Sequence, residues 1–254
     1  MQISHGIVSE NIKIGNVPSL NGYLARPAVP GVYPGIIVCM EIFGVTDHMR
    51  DVANRLALQG YIACVPNFYW RHLPEADLPY DAGGRELGMS LMRQLQRESV
   101  IDDISAAMNY LAHSDECSKK IGILGFSLGG HIAYLATARL NLQVAASMYG
   151  GWIVNGGIPL SDPEPTISLT SGMAKSGTPF LGIVGGKDHL ISDDEWRILG
   201  ETLVKEGIRH ELVVYPEAKH GFFCDHRRES YDQEAAADAW DRLINFFTKE
   251  LTSA

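Results

Sequence analysis

The stretch Ile121-Gly122-Ile123-Leu124-Gly125-Phe126-Ser127-Leu128-Gly129-Gly130-His131-Ile132 decides how this chain is read. A short apolar run of the kind a buried strand carries leads into Gly-x-Ser-x-Gly, and a helical pattern through Ile132 and Leu135 follows. A strand that turns sharply into a helix lifts the residue at the turn clear of the sheet, and the positions two before and two after it have almost no room for a side chain. Gly125 and Gly129 meet that requirement, so Ser127 is the candidate nucleophile.

Working outward, short β-branched runs alternate with stretches of helical period, the pattern of a mostly parallel central sheet with helices on both faces. Ile12 to Ile14 and Gly22 to Leu24 read as a hairpin or edge strand. Gly35 to Met40 is continuously apolar, as a strand buried on both sides should be. Thr46 can cap a helix bearing Met49, Val52, Ala53 and Leu56, which Gly60 stops before the strand Tyr61 to Val65. Val100, Ile104, Ala107, Met108 and Leu111 stripe another helix. Strands are expected at Val144 to Tyr149, Phe180 to Val184 and Glu211 to Tyr215, with helices through Trp196 to Leu203 and Trp240 to Phe247. Two proline-bearing segments, Asn67 to Leu87 and Asn155 to Ala174, read as long surface excursions near a site rather than linkers, because the alternation resumes after each. The expectation is one domain over residues 1 to 254.

Composition narrows the function classes. Hydrophobic residues make up 46% and charged residues 20%, values of an ordinary globular chain. Thirty acidic residues against 21 basic ones give a net charge of −9, which repels phosphate backbones and anionic lipid, so neither nucleic acid nor membrane is expected as a partner. Cys39, Cys64, Cys117 and Cys224 are scattered, with no CxxC pair to suggest a disulfide framework or a metal knuckle. With no leader-like amino terminus and no long apolar run, a cytoplasmic, cofactor-free and metal-free protein is expected, either monomer or homodimer.

A serine hydroxyl is a weak nucleophile near neutral pH and needs a base in reach and an acid behind that base. Each should sit in a loop at the carboxyl end of a later strand, in the order serine, acid, histidine. Phe180 to Val184 is followed by Asp188, and Glu211 to Tyr215 by His220, which makes these the candidates. His189, His226 and Glu217 compete, and each also reads as an exposed loop residue. For the oxyanion, Leu128 N–H is one donor by position, and Ile42 N–H, in the loop after Gly35 to Met40, is the second by topology. Glu41 is unusual: a carboxylate closing an apolar strand is costly unless something receives its charge or proton. It reads either as a second acid or base beside Ser127 or as a structural anchor.

These residues resemble the dienelactone hydrolase (carboxymethylenebutenolidase) family of the α/β-hydrolase superfamily over nearly the whole chain. The resemblance is carried by Glu41-Ile42-Phe43-Gly44, Pro66 and Tyr69, the elbow Gly125 to Gly130, Gly186-Lys187-Asp188, His220-Gly221-Phe222, and the stretch Tyr231 to Trp240. It implies the α/β-hydrolase fold, a triad of Ser127, Asp188 and His220, and Glu41 meeting the nucleophile in the resting enzyme. Two positions depart from the family. Founding members carry cysteine where Ser127 stands, and an arginine four residues beyond the catalytic histidine, where this chain has Cys224. Arg227, Arg228, Arg85, Arg93 and Arg97 are basic residues that could meet a substrate carboxylate instead, although each one taken singly reads first as a solvated surface residue. The expected activity is hydrolysis of a lactone or small carboxylic ester through an acyl-enzyme, with Phe43, Tyr69, Trp152 and Phe222 against the substrate. A broad carboxylesterase or thioesterase and a non-catalytic binding protein are the rival readings.

Overall fold

The computed structural model describes residues 2–4, 6–15 and 20–252. Among these residues, nine strands lie in one sheet: β1 (Gln2–Ser4), β2 (Ile7–Lys13), β3 (Asn21–Pro27), β4 (Tyr33–Cys39), β5 (Ile62–Pro66), β6 (Cys117–Phe126), β7 (Val144–Met148), β8 (Phe180–Lys187) and β9 (His210–Lys219). Their order is β1-β2-β3-β5-β4-β6-β7-β8-β9. The expected amino-terminal hairpin is β2 against β3, and β3 joins the sheet antiparallel to β5. From β5 to β9 all pairings are parallel, as the unbroken apolar runs imply.

The chain leaves β4 toward β5 on one side and returns to β6 on the other. This reversal of strand order opens a crevice beyond the carboxyl ends of β4 and β6, the place where open α/β sheets put their ligands. Helices cover both faces. On one, α1 (Asp47–Leu58) and the closing helix α7 (Gln233–Leu251) are tied by Arg55, whose guanidinium lies 3.9 Å from the Trp240 ring centroid. On the other, α3 (Arg97–Ala112) packs beside α4 (Leu128–Arg139). Every α4 residue from Leu128 to Ala138 is buried, as expected of a helix enclosed by sheet and neighbouring helices. The expected cap and stop of α1 are present: Thr46 Oγ1 accepts from Met49 N–H, and Gly60 takes φ +88°.

The two excursions are held down by polar contacts to buried side chains. In the second, Arg97 donates to Leu160 O and Glu164 O, at 2.8 and 2.5 Å. His131 Nδ1 lies 3.0 Å from Gly151 O and its Nε2 2.9 Å from Thr166 Oγ1. That segment also holds 3-10 turns at Pro159–Ser161 and Thr166–Leu169 and a short helix, α5 (Ser171–Ser176). In the first, Arg71 makes a two-pronged ion pair with buried Asp103, at 2.7 and 2.9 Å. One part of that excursion is not irregular: Ala82–Met92 is a helix, α2, capped by Asp81, whose Oδ1 accepts from Gly84 N–H at 2.8 Å. Its glycines lower helix propensity and blur the period, but they serve packing. A Cβ on Gly88 would lie 2.4 Å from Ile42 O. The remaining long helix, α6 (Asp193–Lys205), opens on a full capping box between Ser192 and Glu195.

Burial holds the His131 imidazole neutral, its pKa lowered from 6.5 to about 4. Between those values the unfolded chain takes up a proton that the folded chain refuses, so stability present above pH 6.5 is lost as pH falls toward 4. The contribution is on the order of 3 kcal/mol. The melting temperature should decline over that window, and His131→Asn should flatten the decline; an equal slope in both proteins would contradict this role.

Candidate active site

At the end of β6 the backbone turns through Ser127, with φ 54° and ψ −115°, a strained conformation of the kind that costs roughly 1–3 kcal/mol. Its amide is fixed by Met148 O at 2.9 Å. The flanking glycines have steric reasons to be there. A Cβ on Gly125 would meet Gly129 O at 1.8 Å, and one on Gly129 would meet Cys39 O at 2.0 Å and Met40 O at 2.7 Å. The start of α4 therefore lies directly on the end of β4, which brings Leu128 beside the segment carrying Glu41 and Ile42. That segment is a turn closed by Gly44 N–H donating to Glu41 O at 3.2 Å, with Ile42 and Phe43 at its corner.

Asp188 follows β8 and His220 follows β9. The Asp188 side chain is fully buried; its Oδ1 accepts from Leu190 N–H at 2.8 Å, and its Oδ2 lies 2.8 Å from His220 Nδ1. A carboxylate only accepts, so Nδ1 carries the hydrogen and Nε2 is left as acceptor. Nε2 is 2.8 Å from Ser127 Oγ. The loops meet because Gly185 and Gly186 let β8 pass over β9: a Cβ on either would fall within 2.6 Å of Ala218 O or Pro216 O. Tyr149 stands edge-on to the imidazole, ring centroids 5.2 Å apart, and itself adopts φ 42°.

Ser127 and His220 open onto a cavity of about 180 Å³ bordered by Glu41, Ile42, Phe43, Arg85, Met89, Trp152, His189, Leu190 and Arg227. Of the residues expected against substrate, Phe43 and Trp152 border it. Tyr69 and Phe222 do not: Tyr69 is buried with its hydroxyl on Gly88 O, and Phe222 is buried between Tyr149 and Tyr215. Their aromatic bulk serves the core, which composition alone does not distinguish from a pocket wall. Arg85 and Met89 come from α2. Arg227 arrives because the chain after His220 folds back at Gly221, φ +77°, where a Cβ would collide with the guanidinium at 2.1 Å. Met89, Leu190 and Tyr149 carry no sequence signal of their own. Of the competing loop residues, His189 borders the cavity, with its pKa lowered by burial, while Glu217 pairs with Lys187 at the surface.

Glu41 is 1% exposed. Its Oε1 lies 3.9 Å from Arg227 and 3.5 Å from the Tyr149 hydroxyl, and its Oε2 has no hydrogen-bond partner among the described residues. Burial and the nearby Glu41 charge push the Tyr149 phenol well up, so it stays protonated and able to donate. Cys224, at the position of the family arginine, is buried and its thiol is pushed up to about 12. It presents no charge to a ligand, whereas Arg227 does.

A larger groove of about 850 Å³ lies by β2, β3 and α3; its Ser114 accepts from the Glu116 amide and its His113 lies on Asn109 O. No group of three or more metal-ligating side chains, and no helix long and apolar enough to cross a membrane, occurs among the described residues.

The dienelactone hydrolase family model matches residues 20–251. The chain belongs to the dienelactone hydrolase family. A Synechocystis protein named as a carboxymethylenebutenolidase is 36% identical over 249 residues, 96% of this chain and 95% of that one. A Bradyrhizobium protein named as a 2-oxo-3-(5-oxofuran-2-ylidene)propanoate lactonase is 31% identical over 94% of this chain and 93% of its own. Among solved structures, one described as a dienelactone hydrolase from Klebsiella pneumoniae superposes with a TM-score of 0.86 at 31% identity, covering 96% of this chain and all of that one. Like its family, this chain has the α/β-hydrolase fold and is a carboxylic ester hydrolase of the lactone or ester type.

Within this dienelactone hydrolase cavity, Glu41→Gln keeps the shape of the buried side chain and removes its charge. The variant should fold with a melting temperature close to that of the wild type while kcat/KM falls by about tenfold or more. Unchanged kinetics with a lowered melting temperature would make Glu41 a structural anchor.

Proposed function

We propose that this protein hydrolyses a lactone or small ester that carries an anionic group, using Ser127 as nucleophile, His220 as base and Asp188 as the group that orients it. The observation that carries this reading is the unbroken relay of two 2.8 Å contacts, Asp188 Oδ2 to His220 Nδ1 and His220 Nε2 to Ser127 Oγ, opening on the cavity at the strand-order reversal.

His220 takes the Ser127 proton as Oγ attacks the acyl carbonyl, and Asp188 stabilises the imidazolium that forms. The oxyanion is held by the amides of Leu128 and Ile42, two donors from the segments that Gly129 packs together, each worth roughly 10²- to 10³-fold in rate. His220 then protonates the leaving alkoxide, which in a lactone stays tethered to the acyl group. Water, deprotonated by the same imidazole, releases the product. An alcohol is far harder to deprotonate than a thiol, so this serine depends on the histidine throughout. Glu41, which borders the same cavity, exchanges a proton or adjusts charge beside the nucleophile in this reading.

The charged side chains on the cavity wall point to the substrate. Arg85 and Arg227 border it together with the apolar surfaces of Phe43, Met89 and Trp152, a combination suited to a compact unsaturated ring bearing a carboxylate. The compound in the name of the Bradyrhizobium relative is such a molecule, a furanone ring ending in a propanoate.

Two measurements test the proposal. A fluorophosphonate probe should label the wild type and not Ser127→Ala; equal labelling of both removes Ser127 from the mechanism. Arg85→Met, on an exposed face of α2, should raise KM for a carboxylate-bearing lactone by about tenfold and leave p-nitrophenyl acetate nearly unaffected. Equal effects on both substrates would favour a broad carboxylesterase.

A further inference from the structure

Trp152 stands in the left-handed region of backbone space, at φ +59°, which a bulky side chain adopts only where its neighbours impose it. Here three consecutive carbonyls around that residue are each held. Gly151 O accepts from His131 Nδ1–H at 3.0 Å, Trp152 O from the Ser161 hydroxyl at 3.2 Å, and Ile153 O from Ile167 N–H at 2.9 Å. A carbonyl only accepts, so the His131 hydrogen sits on Nδ1, and Nε2 is left to accept from the Thr166 hydroxyl 2.9 Å away. His131, Thr166 and Ser161 are all buried. Two soft dihedrals decide where a side chain leaves the backbone, and pinning the oxygens on both sides of Trp152 fixes both.

The residue held in this way borders the cavity onto which Ser127 and His220 open. On its other side runs the second excursion: a Cβ on Gly157 would lie 3.9 Å from Trp152 Cδ1. That excursion is itself secured, by Arg97 on Leu160 O and Glu164 O and by the 2.6 Å contact of the Tyr134 hydroxyl with Thr170 Oγ1. His131 belongs to α4, one turn beyond Ser127, and its amide donates to Ser127 O at 3.2 Å. Nucleophile and wall are therefore referred to one helix, Ser127 by the turn that opens it and Trp152 through the imidazole that follows. At about 180 Å³ the cavity is smaller than the roughly 300–1,000 Å³ of sites for drug-sized ligands, so moving one wall residue changes what fits.

We propose that Trp152 sets the upper size of the acyl group or ring that reaches Ser127, and that His131, Thr166 and Ser161 are positioning residues that hold it there. Compact lactone rings and short acyl groups pass; long acyl chains meet the indole. None of the three positioning side chains borders the cavity, so each acts through the backbone of residues 151 to 153. The inference rests on the Ser127 cavity being where the acyl group binds, as proposed above.

The test is the ratio of kcat/KM for p-nitrophenyl octanoate to that for p-nitrophenyl acetate. Trp152→Gly, which suits the left-handed backbone and removes the indole, should raise this ratio by about tenfold or more. Thr166→Val keeps the shape of a buried side chain and removes the hydroxyl that fixes the imidazole, so it should raise the ratio about threefold. Thr166→Ser, which restores the hydroxyl, should return the wild-type ratio. In the Trp152→Gly background the effect of Thr166→Val should fall below about 1.5-fold, because the side chain it positions is gone. A residue that only supports the fold lowers both esters in proportion. An unmoved ratio in Thr166→Val, or the same rise with and without the indole, therefore overturns the positioning role, and an unmoved ratio in Trp152→Gly overturns the wall. Should Thr166→Val fail to fold, Ser161→Ala carries the test: its ratio should rise in the same way, and an unmoved one overturns the proposal. Ser127→Ala reports on the cavity separately. If it still hydrolyses both esters, the reading of the site has failed; if it is inactive and the ratios do not move, only the inference about Trp152 has.

Discussion

The contact on which the rest of the structure depends is the one between Gly129 and the carbonyls of Cys39 and Met40. Because glycine has no Cβ, the first turn of α4 can rest on the end of β4, and no other residue type fits there without moving main chain. Three consequences follow from that one approach. Ser127 is held at the crest of a strained turn, Leu128 is set beside Ile42, and Glu41 is carried to the edge of the same cavity. The reversal of strand order supplies the crevice, and the glycine contact decides what stands in it.

Charge is distributed unevenly around this point. In front, Arg85 and Arg227 line the cavity in a protein whose net charge is −9. Behind, the buried Glu41 carboxylate meets the Tyr149 hydroxyl at 3.5 Å and makes a long ion pair to Arg227 at 3.9 Å. A buried ion pair of that length returns little of what it costs to remove the charges from water. Such a group persists where the site uses its proton or its charge, and that is the physical reason for reading Glu41 as more than an anchor.

Much of this was legible in the sequence because it is written in short-range constraints. The apolar run to Met40, the glycines around Ser127, and the placement of Asp188 and His220 just past strands each reflect one local requirement. Illegible parts depend on tertiary contacts. Helix α2 was hidden because Gly83, Gly84 and Gly88 suppress its period, although Gly88 is there to let Ile42 approach. Tyr69 and Phe222 look like pocket aromatics by position and prove to be core, since burial on both sides is a property of neighbours rather than of the residue. Which of the five candidate arginines reach the cavity was undecided in the sequence; Arg227 does so because the chain doubles back at Gly221, three positions beyond Cys224 where the family arginine would stand.

Helix α2 also bears on how such a site changes over evolutionary time. It contributes Arg85 and Met89 to the wall, yet it belongs to an excursion outside the sheet, secured by its own cap and by Gly88 on the Ile42 turn. Ligand preference and bond-breaking machinery are therefore encoded in separable pieces of chain. A lineage can redraw which acids are accepted by substituting a few exposed positions on one peripheral helix, while the strained turn and its relay pass unaltered from ancestor to descendant.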